Sequence, residues 1–395
     1  MVTLIFNAKI VESSSIIDNG YIVIKDGIIA GTGQGKPEGL VADEEIDAAG
    51  HYASAGFIDL HTHGAGGADL MDGTVDAYLT VARTHAKYGT TTFLPTTLTC
   101  PDDELFRTFE TFRQARALNT DGARMEGFHL EGPYFAYSQR GAQDPANLKN
   151  PTPEHYNAIF AATDDIRRWS VAPELPGAPE FGRILADRGI IASIGHTDAI
   201  TDEVIAAHEA GYSLMTHLYS GMSGTTRRNA FRYGGAVEAA FLLDDMDVEI
   251  IADGIHLPKE LLKLIYKIKG PDHIALITDS MRAAGMPEGE YMLGSLSAGQ
   301  KVVVEDGVAK LMDRSAFAGS VATTDRLVRT IINKAEVPLT EAIKMMTATP
   351  ARILGMDDTI GHIKPGYKAD IVIFDNNINV NRTIIGGKTV HNNKN

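Results

Sequence analysis

The sequence predicts an α/β protein, a (β/α)8 TIM barrel with a small β-sandwich domain built from both chain termini. Three observations carry this. Eight short β-branched or apolar runs alternate with amphipathic stretches through the middle of the chain, the rhythm of parallel βαβ units. Roughly the first fifty and the last forty residues are β-rich instead. No Gly-x-Gly-x-x-Gly turn follows the first middle strand, as a doubly wound sheet usually shows.

Taken in order, the first strands are expected at Thr3–Val11, Tyr21–Thr32 and Ala42–Ala48, with Asp26-Gly27 as a hairpin turn. The C-terminal counterpart is Ala369–Phe374 and Thr383–Val390, the latter around Gly386-Gly387. These ends define the small domain as residues 1–54 and 355–395, leaving 55–354 for the barrel. Barrel strands are expected at Phe57–His61, Thr91–Thr96, Arg124–Glu131, Arg168–Glu174, Ile190–His196, Tyr212–Leu218, Val248–Asp253 and Ile274–Ser280. Helices are expected at Val75–Tyr88, Asp102–Leu118, Thr201–Ala210 and Lys259–Lys267 between them, and at Thr323–Lys334 and Thr340–Thr347 after them. A β-hairpin excursion around Asp306-Gly307, about residues 290–312, separates the two sets.

Composition narrows the function. A formal net charge of −15 argues against a non-specific nucleic-acid or anionic-membrane binder, whose affinity comes from clustered cations. The single cysteine, Cys100, read as a buried thiol, rules out an intrachain disulfide and a cysteine-built zinc site, which suits a reducing compartment. With no export signal and no apolar run long enough to span a bilayer, the expectation is a cytoplasmic protein.

Barrel enzymes place reactive side chains at the C-terminal ends of their strands. Here those ends carry His61 and His63, Glu131, His196, His217, Asp253 leading to His256, and Asp279, so five of the thirteen histidines gather there. Side chains alternate along a strand, so His61 and His63 face the same way and can share an ion. Imidazoles and carboxylates at one mouth suit zinc or ferrous iron. The alternative is that the histidines cap the barrel by hydrogen bonds; their joint placement with Glu131 and Asp279 favours a metal site.

The strings Gly56-Phe-Ile-Asp-Leu-His-Thr-His63, His129-Leu-Glu-Gly-Pro133, Gly195-His196-Thr197, Thr216-His217-Leu-Tyr219, Ala252-Asp-Gly-Ile-His256, Thr278-Asp279 and Ala318-Gly-Ser320 resemble the amidohydrolase superfamily and, within it, the N-acetylglucosamine-6-phosphate deacetylases. The resemblance runs the length of the chain. It implies that Glu131, His196 and His217 bind a main divalent ion, zinc or iron. His61 and His63 would hold a second ion bridged by Glu131, so one or two ions per subunit are expected. It also implies that Asp279 is the catalytic acid–base for amide hydrolysis. His129, two residues before Glu131 on the same face, is expected to support the ligands.

A phosphorylated amino-sugar substrate needs local positive charge in so acidic a protein. The Gly/Ser-rich stretch after His217 supplies Arg227, Arg228 and Arg232. The resemblance assigns substrate contacts to His256, Arg232, Ser220, Gly221, Gln143 and Arg228, and implies a homodimer. Ser220-Gly221 replaces the family's Asn-Ala, and Gln143 stands where several relatives carry histidine. Rival expectations are the N-acetylgalactosamine 6-phosphate epimer as substrate, a cyclic amide or nucleobase, and a non-catalytic barrel kept as a scaffold.

Overall fold

The computed structural model describes residues 1–393. Its centre is a near-closed parallel barrel of eight strands: β1 (Phe57–Thr62), β2 (Thr90–Thr97), β3 (Phe128–Glu131), β4 (Ile166–Val171), β5 (Ile191–Ile194), β6 (Tyr212–Met215), β7 (Asp247–Ile250) and β8 (Ile274–Leu276). The strands pair in that order. Closure of β8 onto β1 runs through backbone hydrogen bonds from Asp279 N–H to His61 O (2.9 Å) and from His63 N–H to Ser280 O (2.8 Å).

Helices α1 (Val75–Lys87), α2 (Asp102–Leu118), α3 (Pro153–Ala162), α4 (Ala178–Asp187), α5 (Thr201–Glu209), α6 (Ala236–Leu242), α7 (Lys259–Lys269) and α8 (Thr324–Ala335) cover the outside. Their starts follow from capping chemistry: the Thr74 hydroxyl accepts from Ala77 N–H ahead of α1, and Thr152 does the same for His155 ahead of α3, whose first residue is Pro153. Each buries one apolar stripe, as α8 does with Leu327, Val328 and Ile331, at roughly 1.5–3 kcal/mol per buried side chain.

Both chain ends enter one mixed sheet of eight strands, which encloses its own apolar cluster of Ile5, Ile10, Ile22, Ile24, Ile371 and Ile384 among others. Its hairpins turn at the residue pairs singled out from sequence. Asp26 and Gly27 (φ 51° and 81°), like Gly386 and Gly387 (54° and 78°), take the left-handed conformations that a two-residue hairpin requires. Tyr52–Ala55, not anticipated as a strand, joins this sheet beside Ile371–Phe374, immediately before β1. The excursion after β8 is three-stranded, Gly289–Leu293, Gln300–Glu305 and Val308–Leu311.

Two departures from the expected strands have physical causes. The run expected at Arg124–Glu131 is split into Arg124–Met125 and β3, because Gly127 takes φ 135°. A side chain there would collide with Arg167 and the Asp165 carbonyl at 2.5 Å. The later strands are also shorter than expected: β5, β6 and β8 end two or three residues before His196, His217 and Asp279. Those three residues adopt φ of 50°, 31° and 46°. The chain therefore leaves the sheet and turns through the left-handed region at the residues that carry the chemistry. Such strain costs on the order of 1–3 kcal/mol per residue and persists only where neighbours enforce it. At Asp279 the enforcement is visible: its N–H bonds His61 O and its carbonyl accepts from Ser320 N–H (2.7 Å). Among the described residues no helix is long and apolar enough to cross a membrane.

Candidate metal centre

At the C-terminal mouth of the barrel, six side chains from five strand ends converge, all of them buried: His61, His63, Glu131, His196, His217 and Asp279. Glu131 is the hub. Its Oε1 lies 3.0 Å from His217 Nε2, 3.2 Å from His196 Nε2 and 3.4 Å from His61 Nε2, while its Oε2 lies 3.3 Å from His63 Nε2. Asp279 Oδ1 closes the other side, 3.4 Å from His61 Nε2 and 3.2 Å from His63 Nε2.

The donor set fits a divalent cation. His61 and His63 turn their Nε2 atoms toward each other at 3.3 Å with carboxylates on both sides, so nitrogen and oxygen donors converge on one small volume. His217 Nδ1 is buried without a hydrogen-bond partner, and His61 Nδ1 has only Glu249 Oε2 at 3.6 Å, long for a hydrogen bond. Within the cluster the carboxylates act as counterions to the imidazoles. Burial favours neutral imidazoles, yet the negative charge of Asp279 and Glu131 carries His61 up to about 9 and His63 up to about 10. Burial likewise works against the Glu131 carboxylate, and His61, with the hydrogen bonds of His196 and His217, holds it well below the usual range. Three overlapping groups of nitrogen and oxygen donors, Glu131–His196–His217, His61–His63–Glu131 and His61–His217–Asp279, are close enough to hold a metal ion.

The supports are specific. His196 Nδ1 donates to Gln139 O at 2.7 Å, which orients Nε2 toward Glu131. Gly221, at φ 56°, lies against that bond; a β-carbon there would sit 2.9 Å from His196 Nδ1 and 3.0 Å from Gln139 O. Gly132, at φ 101°, turns the chain after Glu131 where a side chain would strike the Thr99 hydroxyl, and its carbonyl accepts from Trp169 Nε1 at 2.9 Å. His129 bonds Ser170 Oγ through Nε2 (2.7 Å) and lies edge-on to His61 with ring centres 4.4 Å apart. Burial keeps it neutral, its pKa well below the ordinary value.

Beneath the cluster is a buried pair that sequence reasoning did not single out. Arg168 on β4 grips Glu249 on β7 with both terminal nitrogens, and both side chains are fully buried. Arg168 also bonds Ser193 Oγ (2.7 Å) and Thr216 Oγ1 (2.8 Å), and Thr216 in turn meets Ser170 (2.8 Å). The network therefore runs from His129 through Ser170, Thr216 and Arg168 to Glu249, which faces His61 and the His217 N–H. The available signal was charge inside two short barrel strands, Arg168 beside Arg167 in β4 and Glu249 two residues after Asp247 in β7.

The pocket above the cluster has a volume of about 320 Å³ and brings together Gln143, Ser220, Gly221 and His256 with the ligands. His256 Nδ1 is held by Asp253 Oδ2 at 2.8 Å, so Nε2 is the atom it presents to a ligand. Gln143 spans from Thr99 N–H, which its Oε1 accepts (2.8 Å), to Glu131 Oε2, to which its Nε2 donates (2.7 Å). Gln143→Leu is expected to weaken metal binding by ~10–100-fold, read by titration of the metal-free protein, because Glu131 loses its clamp. Unchanged affinity would show that Gln143 does not position the carboxylate.

Arg232 does not join the pocket. It sits exposed on a hairpin formed by Thr226–Arg228 and Phe231–Tyr233. The side chain of Arg228 lies outside the described residues, although its backbone pairs with Phe231. No lysine or arginine lines the pocket among the described residues.

Residues 52–390 match the amidohydrolase family. An N-acetylglucosamine-6-phosphate deacetylase of Lysinibacillus sphaericus is 33% identical over 387 residues, covering 98% of this chain and 97% of that protein. An N-acetylgalactosamine-6-phosphate deacetylase of Escherichia coli O157:H7 is 31% identical over 381 residues, covering 96% and 97%. Among solved structures, a Mycobacterium smegmatis N-acetyl-D-glucosamine-6-phosphate deacetylase variant in complex with N-acetyl-D-glucosamine-6-phosphate superposes with a TM-score of 0.89 at 29% identity, covering 98% of this chain and 99% of that one. Sequence and architecture thus agree along the full length with the buried histidine–carboxylate cluster: the chain belongs to the amidohydrolase family.

Proposed function

We propose that the protein hydrolyses the acetamide of N-acetyl-D-glucosamine 6-phosphate to D-glucosamine 6-phosphate and acetate. The observation that carries this is the six-residue cluster at the floor of a pocket sized for a monosaccharide, in a chain with full-length deacetylase relatives. Glu131, His196 and His217 would hold the main cation, zinc or iron, and His61 with His63 a second, Glu131 lying between. A divalent ion bound there supplies Lewis acidity that polarises the amide carbonyl and acidifies water toward neutral pH. Asp279 takes the water's proton and delivers it to the amine nitrogen as the C–N bond breaks, so the amine does not leave as an anion. Burial opposes its charge, but His61 and His63 hold it below the ordinary carboxylate pKa, in the form that accepts a proton. His256 Nε2 and the Ser220–Gly221 segment contact the sugar and its phosphate.

Among the described residues no cationic side chain lines the pocket, which supports a reading in which a second subunit supplies the phosphate's counter-charge. The exposed Arg232 hairpin serves the neighbouring pocket of a homodimer, with Arg228 beside it. The C4 epimer is the second reading, favoured by the galactosamine-type relative.

The test is acetate release from both phosphorylated sugars before chelation, after it, and after readdition of zinc or iron(II). Turnover of N-acetylglucosamine 6-phosphate that chelation abolishes and metal restores is expected. Inactivity toward both sugars with hydrolysis of a cyclic amide would replace this reading.

A further inference from the structure

The catalytic pocket is open on the side away from Ser220 and Gly221. Past Leu98, Gly141, Ala142, Gln143, Leu293 and Ala316, which border both spaces, it continues into a second cavity of about 740 Å³. This cavity is larger than the pocket that holds the cluster.

Its position follows from the barrel. Ser220 and Gly221 follow β6, whereas the cavity is walled by segments after β2 and β3, together with the excursion after β8. In an eight-membered ring β2 and β6 lie opposite each other, with the histidine–carboxylate cluster between. An amide is planar, and its carbonyl carbon carries nitrogen on one side and the acyl carbon on the other. With the oxygen turned to the cluster and the sugar nitrogen on the Ser220 side, the acyl carbon points toward Leu98 and the second cavity.

The chemistry of the opening suits hydrocarbon. Leu98 and Ala142 pack against the buried cluster containing Leu293, and Ala316 faces the same opening. On the cavity wall Glu104, Asp144 and Asp313 outnumber Arg140, and this net negative charge disfavours a second phosphate. We propose that this cavity is an acyl-chain subsite, and that the protein hydrolyses N-acyl amino-sugar phosphates whose acyl group is longer than acetyl. The inference rests on the deacetylase reading above. The bonds are those of amide hydrolysis: water's oxygen joins the acyl carbon, the C–N bond breaks and a proton passes to nitrogen, releasing an unbranched alkanoate and the amine.

The experiment compares kcat/KM for the N-acetyl, N-propionyl and N-butyryl derivatives of glucosamine 6-phosphate in the metal-loaded enzyme. Values for propionyl and butyryl of at least about a tenth of the acetyl value are expected, since a subsite that admits the chain imposes no clash and burying the added methylenes favours binding. Acetyl turnover with butyryl turnover more than about a hundredfold lower overturns the subsite while leaving the deacetylase reading intact; no turnover of the acetyl substrate overturns both. Ala142→Leu and Ala316→Leu narrow the opening from its two walls. Each is expected to lower the butyryl-to-acetyl ratio at least about tenfold, and an unchanged ratio in both folded variants overturns the proposal. The unmodified enzyme's acyl series decides the question even where a variant does not fold.

Discussion

Asp279→Asn is expected to lower kcat by roughly 10²–10⁴-fold while KM and metal content stay near those of the unmodified protein. The asparagine keeps the shape and one oxygen of the side chain, so the donors around His61 and His63 remain. What it removes is the capacity to take a proton from water and return it to the leaving nitrogen. The backbone argues that this position is committed to such work. Asp279 is held at φ 46°, in a region a non-glycine residue enters at a cost, by bonds to His61 O and from Ser320 N–H. Gly319, at φ 68°, packs beside it, with a hypothetical β-carbon 3.0 Å from the Asp279 carbonyl. The substitution leaves these restraints untouched, which makes a loss of rate attributable to the carboxylate. Steady-state kinetics together with metal analysis checks it; a kcat within about threefold of the unmodified enzyme would remove Asp279 from the proton-transfer role.

The barrel was legible because its signals are local and repeated: eight apolar runs bounded by turns, with amphipathic helices between most of them. The metal cluster was legible for a different reason. Histidine and acid at strand ends are unusual residues in a predictable place, and the His61–His63 spacing fixes a common face without knowledge of the rest. What could not be read depends on pairing at a distance. Arg168 and Glu249 stand 81 residues apart, and each shares its short strand with another charge, Arg167 or Asp247, so neither stands out in the sequence. The αL turns at His196, His217 and Asp279 were equally hidden, since no glycine marks them and tertiary bonds impose them. Gln143 shows the same limit. Its place in the chain suggests contact with a ligand, whereas its bond to Glu131 exists only once the loop after β3 folds over the mouth. The Arg232 hairpin is exposed and, among the described residues, contributes nothing to the pocket lining.

Arg168→Met is expected to destabilise the fold by about 3–5 kcal/mol, the largest stability effect of any single change considered, because it strands a carboxylate in the barrel. Glu249 has no exposed surface; burial favours its neutral form and Arg168 outweighs that, holding the carboxyl below its ordinary pKa. Removing the guanidinium also leaves Ser193 Oγ and Thr216 Oγ1 without their charged donor and breaks the chain of bonds that reaches Ser170 and His129. The cost therefore arises from desolvated charge, which a second substitution tests. Arg168→Met combined with Glu249→Leu removes both charges and should recover most of the loss, giving a non-additive cycle. The double variant should still bind metal less tightly, since Glu249 no longer faces His61 and the His217 N–H. Urea unfolding of the three variants, paired with metal titration, separates the two effects. A single variant within about 1 kcal/mol of the parent would mean that the strand ends hold the centre without the ion pair beneath it.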